Sequence, residues 1–227
     1  MQDLGLRKVS PPWWLILIGV AVMIVSIPVT TTLTTWNESM NLGDAFAKLE
    51  EYMKALEETA QAATEKMLNV NTFGGMLFNL VIIALIPAVG EELTFRGVLQ
   101  QSLTRKMNPH IAIILSSAIF SFIHFQFYGF LPRLFLGMLL GHMFYITNSL
   151  WTSMLMHFVN NGATVVLYYL NNKGAIEDAE HFGETQNVWI IIASAVITIG
   201  LIVWSWIMAK PKATVEAAPL VSPEENN

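Results

Sequence analysis

Three groups of polar residues stand inside otherwise apolar runs, and their types and spacing suit chemistry. "LIPAVGEELTFRGVLQ" at 85–100 holds Glu91, Glu92 and Arg96; "FSFIHF" holds His124; "HFVNN" holds His157, Asn160 and Asn161. Ionisable side chains are costly in an apolar span, and the default reading of them is functional. Glu92 and Arg96 lie four apart with the acid N-terminal, the favourable order for an ion pair on a helix. Glu91 is turned about 100° from Glu92, so the adjacent carboxylates need not share a role. Phe120 and His124 are also four apart, letting a ring pack on the imidazole, and His157 and Asn161 repeat the spacing on one face. A carboxylate, two imidazoles and an amide suit direct attack of water on a carbonyl. A glutamate taken out of water is a better base at neutral pH, and one imidazole can hold the water with it. The second imidazole and the amide can donate to the oxyanion that forms, each such donor being worth about 10²–10³ in rate. The same Glu/His/His set could instead ligate a divalent metal such as zinc, with a water in the open position. The sequence admits both. It holds no HExxH, no nucleophile elbow and no Ser–His–Asp spacing, so the common zincin and serine-hydrolase sites are not encoded.

The elements that must position these groups are membrane helices. The chain has 227 residues, 54% hydrophobic and 13% charged, against about a quarter charged in an ordinary soluble domain. A span needs about 20 mostly apolar residues, and six runs qualify: 13–33, 73–90, 110–127, 130–147, 150–170 and 188–209. The expected fold is an all-α polytopic membrane bundle of about six transmembrane helices plus one extramembrane amphipathic helix. Its parts are an anchor span at 1–36, the amphipathic helix at 37–72, a helical core at 73–170, a polar loop at 171–187, a last span at 188–209 and a disordered tail at 210–227. The first run has no small-x-small cleavage pattern after it, so it reads as a retained anchor. Leu42, Phe46, Leu49, Met53, Leu56, Ala60, Ala63 and Met67 recur in steps of three and four, which makes 42–68 amphipathic.

Depth follows from helix geometry. Asn108-Pro109 favours a helix boundary. Counted from a turn near 107–108, Glu91 and His124 both lie about 25 Å along their arms. An antiparallel hairpin therefore sets them side by side, and helix tilt brings His157 and Asn161 to the same level. The "GMLLG" pattern at 137–141 is expected to serve close packing within the chain. His142, with no polar partner at three or four residues' distance, reads as packing or interface. His110 and His181 read as solvated, and Arg133 as snorkelling to a headgroup.

Charge places the ends. Arg7 and Lys8, Arg105 and Lys106, and Lys210 and Lys212 fall on one side of a six-span chain, which the positive-inside rule makes cytoplasmic. Both termini are then cytoplasmic. The net charge of −5 gives no basic surface for nucleic acid. The absence of cysteine excludes disulfides, thiolate metal sites and a cysteine nucleophile.

"EELTFR", "FSFIH" and "HFVNN" match in order the E-E-x-x-x-R, F-x-x-x-H and H-x-x-x-N motifs of the CPBP family, the CAAX-protease and bacteriocin-processing (Abi-type) intramembrane proteins. The resemblance spans about 73–170 and includes the "NPH" turn and "NSLWTSMLMHFVNN". It implies an all-helical intramembrane glutamate endopeptidase that works without an essential metal. Glu91 would be the base activating water, with His124 assisting. His157 and Asn161 would stabilise the oxyanion, and Glu92 and Arg96 would orient the site as an ion pair. Eukaryotic relatives remove the last three residues of prenylated CaaX proteins. This short form resembles prokaryotic members, which places it in a cytoplasmic membrane with another membrane-associated protein or peptide as substrate. The competing readings are a non-proteolytic scaffold or bacteriocin-immunity-type protein of the same fold, and a proton-coupled transporter. The transporter would need inverted repeats and broken helices.

Overall fold

Prolines and short polar breaks cut the apolar runs into helices, and no strand forms among the described residues. The structure is a computed structural model that describes residues 11–209. Arg7, Lys8, Lys210, Lys212 and the tail at 210–227 lie outside the described residues. In chain order the helices are α1 (Trp13–Val25), α2 (Ile27–Glu38), α3 (Ala47–Leu68), α4 (Phe73–Thr104), α5 (Pro109–Phe122), α6 (Phe130–Thr147), α7 (Leu150–Asn172) and α8 (Val188–Ala209).

Among the described residues three helices are long and apolar enough to cross a membrane: α4, α6 and α8. The bent pair α1–α2 makes a fourth if it is counted as one span. Six spans were expected, and the difference has two physical sources. The run at 110–127 ends as a helix at Phe122 and is only 14 residues long. The α7 helix has the length, at 23 residues, but Thr152, Ser153, His157, Asn160 and Asn161 dilute its hydropathy. The run at 73–90 is extended instead, because α4 continues as helix to Thr104 over 32 residues.

The first run is not one straight helix. It bends by 42° between α1 and α2. Pro28 lacks the N–H that an uninterrupted helix would donate to the Ile24 carbonyl, and Ser194 of α8 donates a hydrogen bond to the adjacent Val25 carbonyl at 2.6 Å. At the far end of α2 the buried Asn37 accepts from the Leu131 N–H at 2.7 Å. That satisfies one of the orphan donors in the first turn of α6.

The α4 helix departs from regular geometry twice. Leu80–Leu85 and Leu93–Gln100 are wound as π-helix, flanking an α-helical Ile86–Glu92. Pro87 accounts for the first stretch. In α-helical register the Ile83 carbonyl would accept from residue 87, and proline has no N–H to give. π-Helical turns of this kind gather at functional sites.

The two glycines of "GMLLG" bring α6 against α4 and α5 within this chain. A Cβ on Gly137 would lie 2.8 Å from the Ser117 Cβ, and one on Gly141 would lie 2.8 Å from Gln100 Oε1. Through that gap Arg96 donates to the Gly137 carbonyl at 3.0 Å and Gln100 to the Gly141 carbonyl at 2.9 Å. Two residues four apart on α4 thus meet two carbonyls four apart on α6, fixing both register and depth.

Candidate active site

The site forms where α4, α5 and α7 meet. Its buried part is a chain of charge-assisted contacts. Glu92 Oε1 accepts from Arg96 Nη1 at 2.8 Å and lies 2.9 Å from His157 Nδ1. All three side chains are essentially inaccessible. A carboxylate paired with a guanidinium accepts, so Nδ1 of His157 is the donor. Arg96 also lies over the face of Phe120, 4.9 Å from its centroid. The Phe120 ring stands edge-on to Phe95, His124 and His157 at 5.1, 5.0 and 6.1 Å. One aromatic side chain therefore braces a cation and both imidazoles.

The accessible part is Glu91. Its side chain is 30% exposed, where that of Glu92 is fully buried, so neighbouring residues of one helix face different surroundings. Glu91 Oε1 lies 4.0 Å from His124 Nε2, and Oε2 lies 3.7 Å from His157 Nε2. Both separations are too long for a direct hydrogen bond. His124 donates through Nδ1 to the Phe120 carbonyl at 2.7 Å, since a carbonyl only accepts. Both histidines are thereby held by Nδ1, and each ring turns Nε2 toward Glu91.

His124 was expected on a helix. It sits two residues beyond the end of α5, in the loop leading to α6. The four-residue spacing from Phe120 survives because the chain is still turning: the His124 N–H donates to the Ser121 carbonyl at 3.4 Å.

Asn161 faces α4 from α7. Its Nδ2 donates to the Ile83 carbonyl at 3.2 Å, the acceptor that Pro87 leaves without its usual donor, and its Oδ1 accepts from Asn160 at 3.1 Å. An amide nitrogen has two hydrogens, so one is left for another acceptor.

His110 and His181 are exposed, as expected, whereas His142 and Arg133 have partners that spacing along one helix did not foretell. His142 does have a side-chain partner, the His110 ring, stacked on it with Nδ1 of His110 3.3 Å from Nε2 of His142. The pair joins α5 to α6, and spacing along one helix could not reveal it. Arg133 donates to the carbonyl and side chain of Gln126, at 3.1 and 2.8 Å, rather than reaching a headgroup.

The residues that would hold a divalent metal are Glu91, His124 and His157. Donors sharing a tetrahedral zinc at bonds of about 2.0–2.1 Å stand about 3.3 Å apart, whereas here the histidine nitrogens lie 3.7 and 4.0 Å from Glu91. No group of three such side chains among the described residues has metal-site spacing.

Arg96→Met is expected to lower stability by about 3–5 kcal/mol, because it leaves Glu92 buried without its cation. The check is the thermal midpoint of the purified protein in detergent. Replacing Glu92 as well, as in Glu92→Leu/Arg96→Met, should recover part of that loss.

The family described as Type II CAAX prenyl endopeptidase Rce1-like matches residues 73–163, which contain every residue of the site. No curated protein and no solved structure matches the chain. With its apolar helices, the chain is an integral membrane protein, and its residues 73–163 match the Rce1-like CAAX protease family.

Proposed function

We propose that this protein is an intramembrane endopeptidase that hydrolyses a peptide bond of a membrane-associated protein or peptide with water activated by Glu91. The observation that carries the reading is the convergence on Glu91 of two imidazoles, each locked through Nδ1 and turning Nε2 inward. A water in that space donates one proton to Glu91 and is held by His124. As its oxygen bonds to the scissile carbonyl carbon, Glu91 takes the proton. The oxyanion accepts from the free Asn161 N–H and from His157 Nε2–H. His157 donates there while its Nδ1 stays hydrogen-bonded to Glu92 Oε1. Glu91 then passes its proton to the leaving amine as the carbon–nitrogen bond breaks, giving a carboxylic acid and an amine, and the acid proton moves to the amine to leave carboxylate and ammonium. Arg96 keeps Glu92 in place throughout. The mechanism needs no metal.

The test is the full chain in proteoliposomes with a farnesylated CaaX peptide and its unprenylated counterpart as probes, before and after 1,10-phenanthroline. Cleavage of either peptide, unchanged by the chelator, is expected. Loss of cleavage on chelation with recovery on adding zinc would replace the mechanism by the metal-dependent one. Cleavage of neither peptide, with binding retained, would favour a scaffold.

A further inference from the structure

The loop that carries His124 is not held by the catalytic helices alone. Its ends are joined where Ser121 donates to the Phe130 carbonyl at 2.7 Å. Its middle is held from outside by α3. Glu57 Oε2 accepts from the Tyr128 N–H at 3.2 Å, and Oε1 accepts from the Gln126 side chain at 3.3 Å. Arg133 closes the ring by gripping Gln126 at two atoms and standing 4.0 Å from Glu57. Gly129 leaves the room this requires, since a Cβ there would fall on the Arg133 guanidinium. Between His124 and Gln126 sits Phe125 at φ 53°, a left-handed conformation in a bulky residue. Such a conformation persists only where its surroundings over-determine it. The α3 helix can supply that constraint because its C-terminal end is itself anchored. Asn79 donates to the Met67 carbonyl at 2.6 Å, and Asn172 to the Leu68 and Val70 carbonyls at 3.0 and 3.2 Å.

We infer that Glu57 is a positioning residue: by holding the 126–128 segment from α3 it keeps the Nε2 of His124 aimed at Glu91. The inference rests on the water-activation reading above. It gives the helix at 47–68 a part in catalysis although that helix lies outside the family match at 73–163. A helix that merely covered the surface would not place a carboxylate on the backbone of the catalytic loop.

The test compares wild type with Glu57→Gln in the full chain, using hydrogen exchange across 123–129 and steady-state cleavage of the farnesylated peptide. Gln126→Ala, which removes the side-chain half of the clamp and keeps the Tyr128 contact, stands in if Glu57→Gln does not fold. Exchange in the loop is expected to rise about tenfold. kcat should fall about 10- to 100-fold, as for a misplaced catalytic group, with KM within about twofold and the thermal midpoint held. Unchanged exchange, a loosened loop with unchanged kcat, or an effect confined to KM would each overturn the inference. If the wild-type chain cleaves nothing, the function falls and this inference falls with it. If wild type cleaves and the variant matches it, only this inference falls.

Discussion

Glu91→Gln is expected to lower kcat by about 10²–10⁴-fold, the range for removing a positioned general base, while leaving the fold intact. The amide is isosteric but cannot take a proton from water. The fold should tolerate it because Glu91 is 30% exposed and its contacts with His124 and His157 are 4.0 and 3.7 Å long. The thermal midpoint should therefore shift by the equivalent of less than about 1 kcal/mol. Parallel measurement of cleavage and unfolding checks both halves. A variant that still cleaves at near wild-type rate would remove Glu91 from the mechanism. One that unfolds would show that the carboxylate serves packing.

Asn161 has two duties, and a double-mutant cycle with Pro87 separates them. Asn161→Ala is expected to lower kcat by about 10²–10³-fold through loss of an oxyanion donor. It should also destabilise by about 1–3 kcal/mol, because the Ile83 carbonyl is left unsatisfied. Pro87→Ala restores an N–H that can reach that carbonyl. In the Pro87→Ala background the stability cost of Asn161→Ala should shrink markedly while the loss of kcat persists. Cleavage kinetics and thermal unfolding of the four proteins give the coupling directly. If Pro87→Ala recovers activity along with stability, Asn161 acts only by holding α4 in shape.

The core of the site was legible because charge in an apolar run has few innocent explanations. Glu91, Glu92, Arg96, His124 and His157 could be picked out one by one, and the Asn108-Pro109 turn was enough to set Glu91 beside His124. What the sequence hid falls into two kinds. Some features depend on departures from ideal helix geometry. Counting at 3.6 residues per turn cannot foresee two π-helical stretches in α4 or the end of α5 before His124. A clue to the first was present in Pro87, whose missing N–H demands a donor from elsewhere, and Asn161 is that donor. Other features depend on contacts between distant segments. Glu57 is one of many carboxylates on α3, and nothing in its spacing distinguishes it from its solvated neighbours. The His110–His142 pair is of the same kind.

The π-helical stretches on either side of Glu91 have a consequence for how this chain can change in length. Each widened turn accommodates one residue more than an α-helical turn over the same rise. Deleting a single residue within 80–85 would let α4 close into regular helix with Glu91 keeping its direction, whereas deleting one within the α-helical 86–90 would turn Glu91 by about 100° away from α7. The segment from 86 to 90 is therefore length-locked, while the widened turn before it can absorb the loss of one residue. The loop at 41–46 before α3 is a joint where insertions leave the register of α4, and hence the direction of Glu91, untouched.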